Sequence, residues 1–331
     1  MKESEIRPQE LFDRYLELSR QDVEEFFSDH SDFVQIPCPA CTSTEFGLGL
    51  TKSGFEYVTC LSCGTLYLSP RPTDAMISAY QRESKATEYF GTHFFKETEA
   101  ARREQMFKPR AQLVNEWTSK LGLEEPLEFV DIGSGYGIFL EEIANLNRYG
   151  SVTGIEPAPT LAAICRKKGF TIIEKCAEEL TKGELGASFA TSFEVLEHVF
   201  DPLTFLTGIR RALRKGGLLL FTTLTITGFD IQVLWEKSKS VNPPQHINFI
   251  SVSGMEKLVE RAGFDVVEVS TPGQLDVDIV ANMAKENSDI ELPRFVKQLV
   301  EEVSDEAREA FQKFLQDNRL SSHIRVIAQA R

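Results

Sequence analysis

From residue 127 onward the chain alternates short apolar runs with amphipathic stretches, and this predicts an α/β fold with a doubly wound, mostly parallel sheet. Three observations carry the prediction. Glu128-Phe-Val-Asp-Ile-Gly-Ser-Gly-Tyr-Gly-Ile-Phe-Leu140 reads as buried strand, glycine-rich turn and helix, the first βα turn of a nucleotide-binding sheet. Strand and helix patterns then repeat to residue 270. A last apolar run, Ile324 to Ala328, returns after a charged helical insertion and supplies a late seventh strand.

The elements follow in order. The first strand covers 127–133, with a helix from Ile138 to Leu146. A strand at 151–156 precedes a helix from Pro159 to Lys168 and a strand from Thr171 to Glu174. Ala187 to Phe193 is the fourth strand. A helix from Pro202 to Leu213 leads through Lys215-Gly216-Gly217 to the fifth, Leu218 to Thr223. The next helix, Val252 to Ala262, stops at Gly263, a residue suited to the left-handed turn that ends helices, and Phe264 to Ser270 is the sixth strand.

Upstream, residues 9–28 place Leu11, Phe12, Tyr15, Leu16, Leu18, Val23, Phe26 and Phe27 among acidic residues, the pattern of one or two amphipathic helices. Cys38-Pro-Ala-Cys41 and Cys60-Leu-Ser-Cys63-Gly64 follow, with Phe55, Tyr57 and Val58 alternating as a strand into the second pair. Two C-x-x-C knuckles present four thiolates to one tetrahedral ion, so Cys38, Cys41, Cys60 and Cys63 are expected to hold a structural Zn2+ with no open position. Thr73 and Asp74 cap a helix from Ala75 to Arg82. Residues 84–120 read as aromatic-rich helical segments forming a lid, with His93 as a structural histidine. The expected divisions are therefore N-terminal helices at 1–34, a zinc-ribbon-like module at 35–72, a helical lead-in at 73–120, the sheet core at 121–276 and 321–331, and a helical insertion at 277–320.

The net charge of −14 gives nucleic acid no general electrostatic attraction. The basic clusters Arg102, Arg103, Lys108, Arg110 and Arg210, Arg211, Arg214, Lys215 read as solvated helix faces. No run reaches membrane-spanning length and Met1-Lys-Glu-Ser-Glu lacks an apolar leader, so a cytoplasmic protein without a membrane partner is expected, its oligomeric state open.

The glycine turn runs G-x-G-x-G, not the dinucleotide G-x-G-x-x-G, and Asp131 stands ahead of it. A carboxylate there repels a pyrophosphate and suits a ligand bearing an ammonium and a sulfonium, while Glu156, ending the next strand, can accept from ribose hydroxyls. With Phe193-Glu-Val-Leu-Glu-His198 and Asp201-Pro202 after the fourth strand, the chain resembles the class I S-adenosylmethionine-dependent methyltransferases over residues 120–275 and the final strand; a nicotinamide dinucleotide is the lesser alternative. The resemblance implies a Rossmann-like seven-stranded sheet. It places Asp131, Gly133, Ser134, Gly135, Tyr136 and Glu194 beside the amino-acid half of S-adenosyl-L-methionine, Glu156 and Pro157 at the ribose, and Ala177 and Glu178 at the adenine. Cys176 and Ser188 stand where many relatives carry Asp, which puts the adenine contact in doubt.

His246, in Asn242-Pro-Pro-Gln-His-Ile-Asn-Phe-Ile250, follows the fifth strand and is the candidate base, with Glu197 and His198 beside it. Two resemblances converge on it. Zinc-ribbon-bearing sugar C-methyltransferases use a similar E-H-x-x-x-F segment as a base, whereas small-RNA 2′-O-methyltransferases bind a divalent metal through a set that Glu194, Glu197, His198 and His246 match. The alternative is that Glu197 and His198 bond within the fold. Trp235 and Phe229 either line an acceptor pocket or pack. The leading expectation is methyl transfer to a small-molecule, sugar or nucleotide-sugar type hydroxyl or carbon. Metal-assisted O-methylation of a phenol or an RNA end is the second reading, and a non-catalytic cofactor-binding module, disfavoured by the intact glycine turn, the third.

Overall fold

The computed structural model describes residues 3–6, 8–123 and 125–331; Met1, Lys2 and Arg7 of the expected 1–34 segment lie outside the described residues. Two helices, α1 (Glu3–Ile6) and α2 (Gln9–Phe27), precede a three-stranded antiparallel ribbon of β1 (Phe46–Lys52), β2 (Phe55–Cys60) and β3 (Leu66–Leu68). The helical lead-in comprises α3 (Asp74–Glu83), α4 (Lys85–Tyr89), α5 (Phe95–Arg102) and α6 (Lys108–Lys120), with π-helical turns at Phe90–Phe94 and Arg103–Phe107 joining the last three into one path. Thr73 caps α3, its hydroxyl accepting from the Met76 amide at 3.3 Å.

The core alternates β4 (Glu128–Ile132), α7 (Ile138–Asn145), β5 (Ser151–Ile155), α8 (Pro159–Lys167), β6 (Thr171–Ile173), β7 (Ala187–Phe193), α9 (Pro202–Ala212) and β8 (Leu213–Leu224). After α10 (Phe229–Leu234) come the two-residue β9 (Asn248–Phe249), α11 (Val252–Arg261) and β10 (Phe264–Ser270). The insertion is three helices, α12 (Asp276–Glu286), α13 (Arg294–Glu301) and α14 (Asp305–Asp317), and β11 (His323–Ala330) closes the chain.

The seven strands lie in the order β10-β11-β8-β7-β4-β5-β6, with β11 antiparallel to both neighbours and β4 to β8 parallel. This is the Rossmann-like methyltransferase sheet. Parallel strands packed between helices are buried on both faces, which is why β7 reads as a run without polar alternation; every residue from Ala187 to Ser192 is buried. The fifth core strand begins at Leu213, five residues earlier than its apolar run. Leu213 pairs with Ala187, and Gly216, at φ 76°, lets the strand bend before the register resumes at Phe189↔Leu218.

A second departure concerns the ribbon. Its sheet has four strands, β1-β2-β3-β9, because Leu66 and Tyr67 pair with Phe249 and Asn248 from the loop after β8. Phe229 and Trp235 pack: Phe229 meets Phe311 edge-on at 5.3 Å, and Trp235 joins the apolar cluster between ribbon and core. Among the described residues no helix is long and apolar enough to cross a membrane.

Candidate active site

Strand β4 carries Asp131 to the carboxyl edge of the sheet, where the chain turns through Gly133, Gly135 and Gly137, all at positive φ. A Cβ at Gly133 would sit 2.7 Å from Val195 Cγ2, and one at Gly137 would sit 2.8 Å from Cys165 Sγ, so the turn is close-packed behind and open in front. Glu156, at the end of β5, accepts from the Gly135 amide at 2.8 Å and the Ala158 amide at 2.9 Å and so braces the turn. Burial raises its carboxyl above the usual range. Burial also pushes Asp131 up to about 7, against the Thr191 hydroxyl that donates to it at 2.6 Å.

These residues line one cavity of about 1170 Å³, which also takes in Ser134, Tyr136, Pro157, Ala177 and Glu178 on the cofactor side and Glu194, Glu197, His198 and His246 opposite. All thirteen of the predicted cofactor and catalytic residues thus face one space. Among the described residues Ser134 Oγ is buried without an oxygen or nitrogen partner, close to the Cys165 thiol, and with the open glycine cradle and two buried carboxyls the site fits S-adenosylmethionine. Helix α2 and the lead-in cover it with Phe12, Tyr15, Phe90, Phe95 and Phe107. His93 is exposed and stacks on Tyr89 at 5.3 Å, outside the cavity.

On the far wall, His198 Nδ1 lies 2.9 Å from the Gln245 carbonyl and His246 Nδ1 lies 2.6 Å from the Ser240 carbonyl. A carbonyl only accepts, so each Nδ1 carries the proton and each Nε2 keeps its lone pair. The rings are 4.9 Å apart, and one donor atom each from Glu197, His198 and His246 lies within 4.8 Å of the others. Burial lowers the His198 pKa and keeps it neutral. Burial, with Glu194 nearby, raises Glu197 to about 8, although the Thr223 hydroxyl donates to it at 2.7 Å. Glu194 borders this trio through Glu197 and also takes the Thr222 hydroxyl at 2.6 Å, lying 3.4 Å from Arg110 and 3.5 Å from His323. Of the four residues of the expected metal set, Glu197, His198 and His246 are the three whose donor atoms converge.

Sequence reasoning missed Arg110 and Arg102, read as solvated cations. Arg110 lines the cavity and stacks over Phe193 at 4.4 Å, facing Glu194 and Asp131. Arg102 is buried under Phe95 at 4.7 Å. The available signal was their position among Phe94, Phe95 and Phe107 on helical spacing. Arg103 does behave as a paired surface cation, bound to Glu99, Glu141 and Glu142.

Away from the cavity, Cys38 and Cys63 bring their sulfurs to 3.6 Å and Cys41 and Cys60 to 3.5 Å, with all four within 4.8 Å. Sulfurs ~2.3 Å from a tetrahedral ion lie about 3.8 Å apart, so the donor set fits Zn2+.

Residues 101–269 match the family described as Methyltransferase domain. Ubiquinone biosynthesis O-methyltransferases from two strains of Cereibacter sphaeroides are similar to this chain. One is 31% identical over 160 residues, 42% of this chain and 64% of the relative. The other is 30% identical over 178 residues, 47% of this chain and 71% of the relative. The chain thus spans less than two thirds of the length of the first. A solved S-adenosylmethionine-dependent methyltransferase from Clostridium acetobutylicum aligns over 71% of this chain and 98% of its own, at 8% identity and a TM-score of 0.46.

Proposed function

The chain belongs to the methyltransferase-domain family and is an S-adenosylmethionine-dependent methyltransferase, and from that premise we propose that it methylates a hydroxyl, or an acidic carbon, of a small molecule seated against His246. The observation that supports this most is the pair of imidazole lone pairs, on His198 and His246, facing one cavity with the glycine turn. S-adenosylmethionine supplies an electrophilic methyl group on a sulfonium. Asp131 would hold its ammonium, Arg110 its carboxylate, Glu156 its ribose, and Ala177 with Glu178 would flank the adenine. The role of Arg110 is argued from its charge and place along the cavity; the others are those that the family resemblance implies, and the cavity brings their residues together.

Methyl transfer is a displacement in line with the breaking bond, so alignment supplies most of the acceleration. His246 Nε2 would take the acceptor proton, its ring held by the Ser240 carbonyl. The acceptor then lies in the half of the cavity roofed by Tyr15, Phe90 and Phe95, with residues 73–120 and α2 as its lid. The four-cysteine module, 35–72, would hold Zn2+ as a cross-link, and the other divisions, the core at 121–276 and 321–331 and the insertion at 277–320, are read as functional units on the same basis.

A sugar or nucleotide-sugar acceptor fits the polar wall. A second reading is favoured by the Glu197, His198, His246 cluster: these three would hold a divalent ion that binds a phenolate, the acceptor type that the name of the curated relatives brings to mind. The net charge weighs against an RNA end. Transfer of labelled methyl to nucleotide-sugars, catechols and short RNA, with and without chelator, separates these readings. Turnover that survives His246→Ala would refute the base, and turnover of a catechol that survives chelation would refute the ion.

A further inference from the structure

The loop that carries His246 is held by the four-cysteine module, at both ends of the histidine's own hydrogen bonding. Tyr57, in β2 of the ribbon and 1% exposed, donates its hydroxyl to the His246 carbonyl at 2.6 Å. Lys52, ending β1, donates to the Ser238 carbonyl at 2.7 Å, and Ser238 Oγ accepts from the Ser240 amide at 3.2 Å. Ser240 is the residue whose carbonyl fixes His246 Nδ1. The backbone repeats the arrangement: the Leu68 amide donates to the Ile247 carbonyl at 2.9 Å, and β9 is a strand of the ribbon sheet. Arg71 is fully buried and spends its guanidinium on carbonyls of Leu68, Phe200 and Ile247 and on Asn248 Oδ1.

A metal knuckle that served only to hold its own ribbon would not need these side chains. A hydroxyl or ammonium withdrawn from water and left without a partner is destabilising, so each of these groups constrains where the loop can lie. We infer that the ribbon is the positioning platform of the acceptor loop, with Tyr57 and Lys52 as positioning residues that act through the His246 and Ser238 carbonyls. The metal would then bear on catalysis at a distance, by fixing the sheet from which these two side chains reach. This rests on the reading of His246 as the acceptor-side base only for its catalytic consequence; the positional claim stands on the hydrogen bonds.

The test uses full-length protein, zinc-loaded and bound to S-adenosylhomocysteine, with nitrogen-15 confined to its five histidines. Long-range proton–nitrogen correlation reports which ring nitrogen of each histidine is protonated, and His246→Gln assigns the signal. Wild type is expected to show His246 as the Nδ1–H form. Tyr57→Phe and, from the other end, Lys52→Met are expected to lower that population at least twofold, with zinc content unchanged and S-adenosylhomocysteine affinity within twofold. An unchanged His246 signal in both variants would overturn the inference. So would a change seen only together with lost zinc or lost cofactor affinity in both, because the ribbon would then support the whole core and not this loop. If His246→Ala retained turnover, the base would be refuted while this measurement still decided the platform.

Discussion

Gly208→Ala isolates the adenine wall of the cavity. Gly208 lies within α9 against the turn Ala177–Glu179, and a Cβ there would be 2.0 Å from the Ala177 carbonyl oxygen, 2.6 Å from its carbon and 3.1 Å from the Glu178 nitrogen. Ordinary contact begins at 3.4 Å, so helix and turn must part by about 1.4 Å. The obstacle is backbone and has no rotamer to swing aside. Two effects oppose each other. Replacing glycine inside a helix gains about 1 kcal/mol, whereas overpacking of this kind costs about 1–3 kcal/mol. Global stability is therefore expected to fall by about 0–2 kcal/mol, while the displaced turn carries Ala177 and Glu178 away from the base they are proposed to flank. A loss of about 1.4–2.8 kcal/mol in binding is a 10- to 100-fold weaker affinity. Titration calorimetry with S-adenosylhomocysteine measures it, alongside thermal unfolding. Gly186→Ala is the control, since its Cβ meets only Glu128 Oε2 at 3.9 Å. Affinity within twofold of wild type in Gly208→Ala would refute the placement of the adenine.

Arg110→Met is expected to weaken S-adenosylhomocysteine by about 10-fold or more and to leave 5′-methylthioadenosine, which lacks the amino acid, unchanged; equal losses for both ligands would show that Arg110 acts on the fold instead. Asp230 and Asp276 form a buried carboxyl pair between α10 and the insertion. Asp276 accepts from Gln312, Ser321 and the Ser322 amide and so is the better hydrogen-bonded carboxylate of the two, which leaves the buried Asp230 as the one that holds its proton. Burial, then Asp276, raises Asp230 from 3.8 to about 8. The unfolded chain releases this proton near pH 4 and the folded chain holds it to about 8, so its contribution is fully present below pH 4 and falls away as pH rises through that window. Asp230→Asn keeps a donor and removes the titration. Urea unfolding from pH 5 to 8 is expected to show the variant gaining on wild type by about 1–3 kcal/mol toward pH 8, and parallel curves would disprove the raised Asp230 pKa.

Where chemistry is local, it was legible. The C-x-x-C knuckles and the G-x-G-x-G turn draw their local geometry from residues within a few positions, and the glycines mark the positive φ of the turn, although the contacts that exclude a Cβ at 133 and 137 come from the distant Val195 and Cys165. The last strand was legible from its apolar run, but its reversal only through the resemblance to the methyltransferase fold, since an apolar run carries no direction. What escaped was set by distant packing. Strand β9 has only two residues and no pattern of its own; the edge of β3 makes it a strand. Arg110 has the composition of a surface cation, and only the rings of Phe107 and Phe193 reveal a buried one. Nothing in sequence joins Tyr15 to Gln245, 230 residues away, although Tyr15 donates to its side-chain oxygen across the cavity mouth.

The two halves of the cavity consequently answer to different constraints. The cofactor half centres on the turn and strand end between residues 131 and 156, with Arg110, Ala177 and Glu178 at its margins, and close backbone approach leaves it little tolerance: a single Cβ at Gly133 meets Val195. The acceptor half is assembled from α2, α3, the ribbon, the segment after β7 and the loop after β8, joined mainly by side-chain hydrogen bonds through Gln245, which contacts Tyr15, Tyr80 and Asn242. Such bonds can be exchanged one at a time, each at about 1 kcal/mol, without touching the glycine turn. Aromatic lid positions such as Phe90 and Phe95 can likewise change size with the sheet intact. A fold partitioned in this way can keep one methyl donor while its acceptor changes, because the Gln245 contacts of the acceptor wall are separate from the Glu156 bonds that brace the turn.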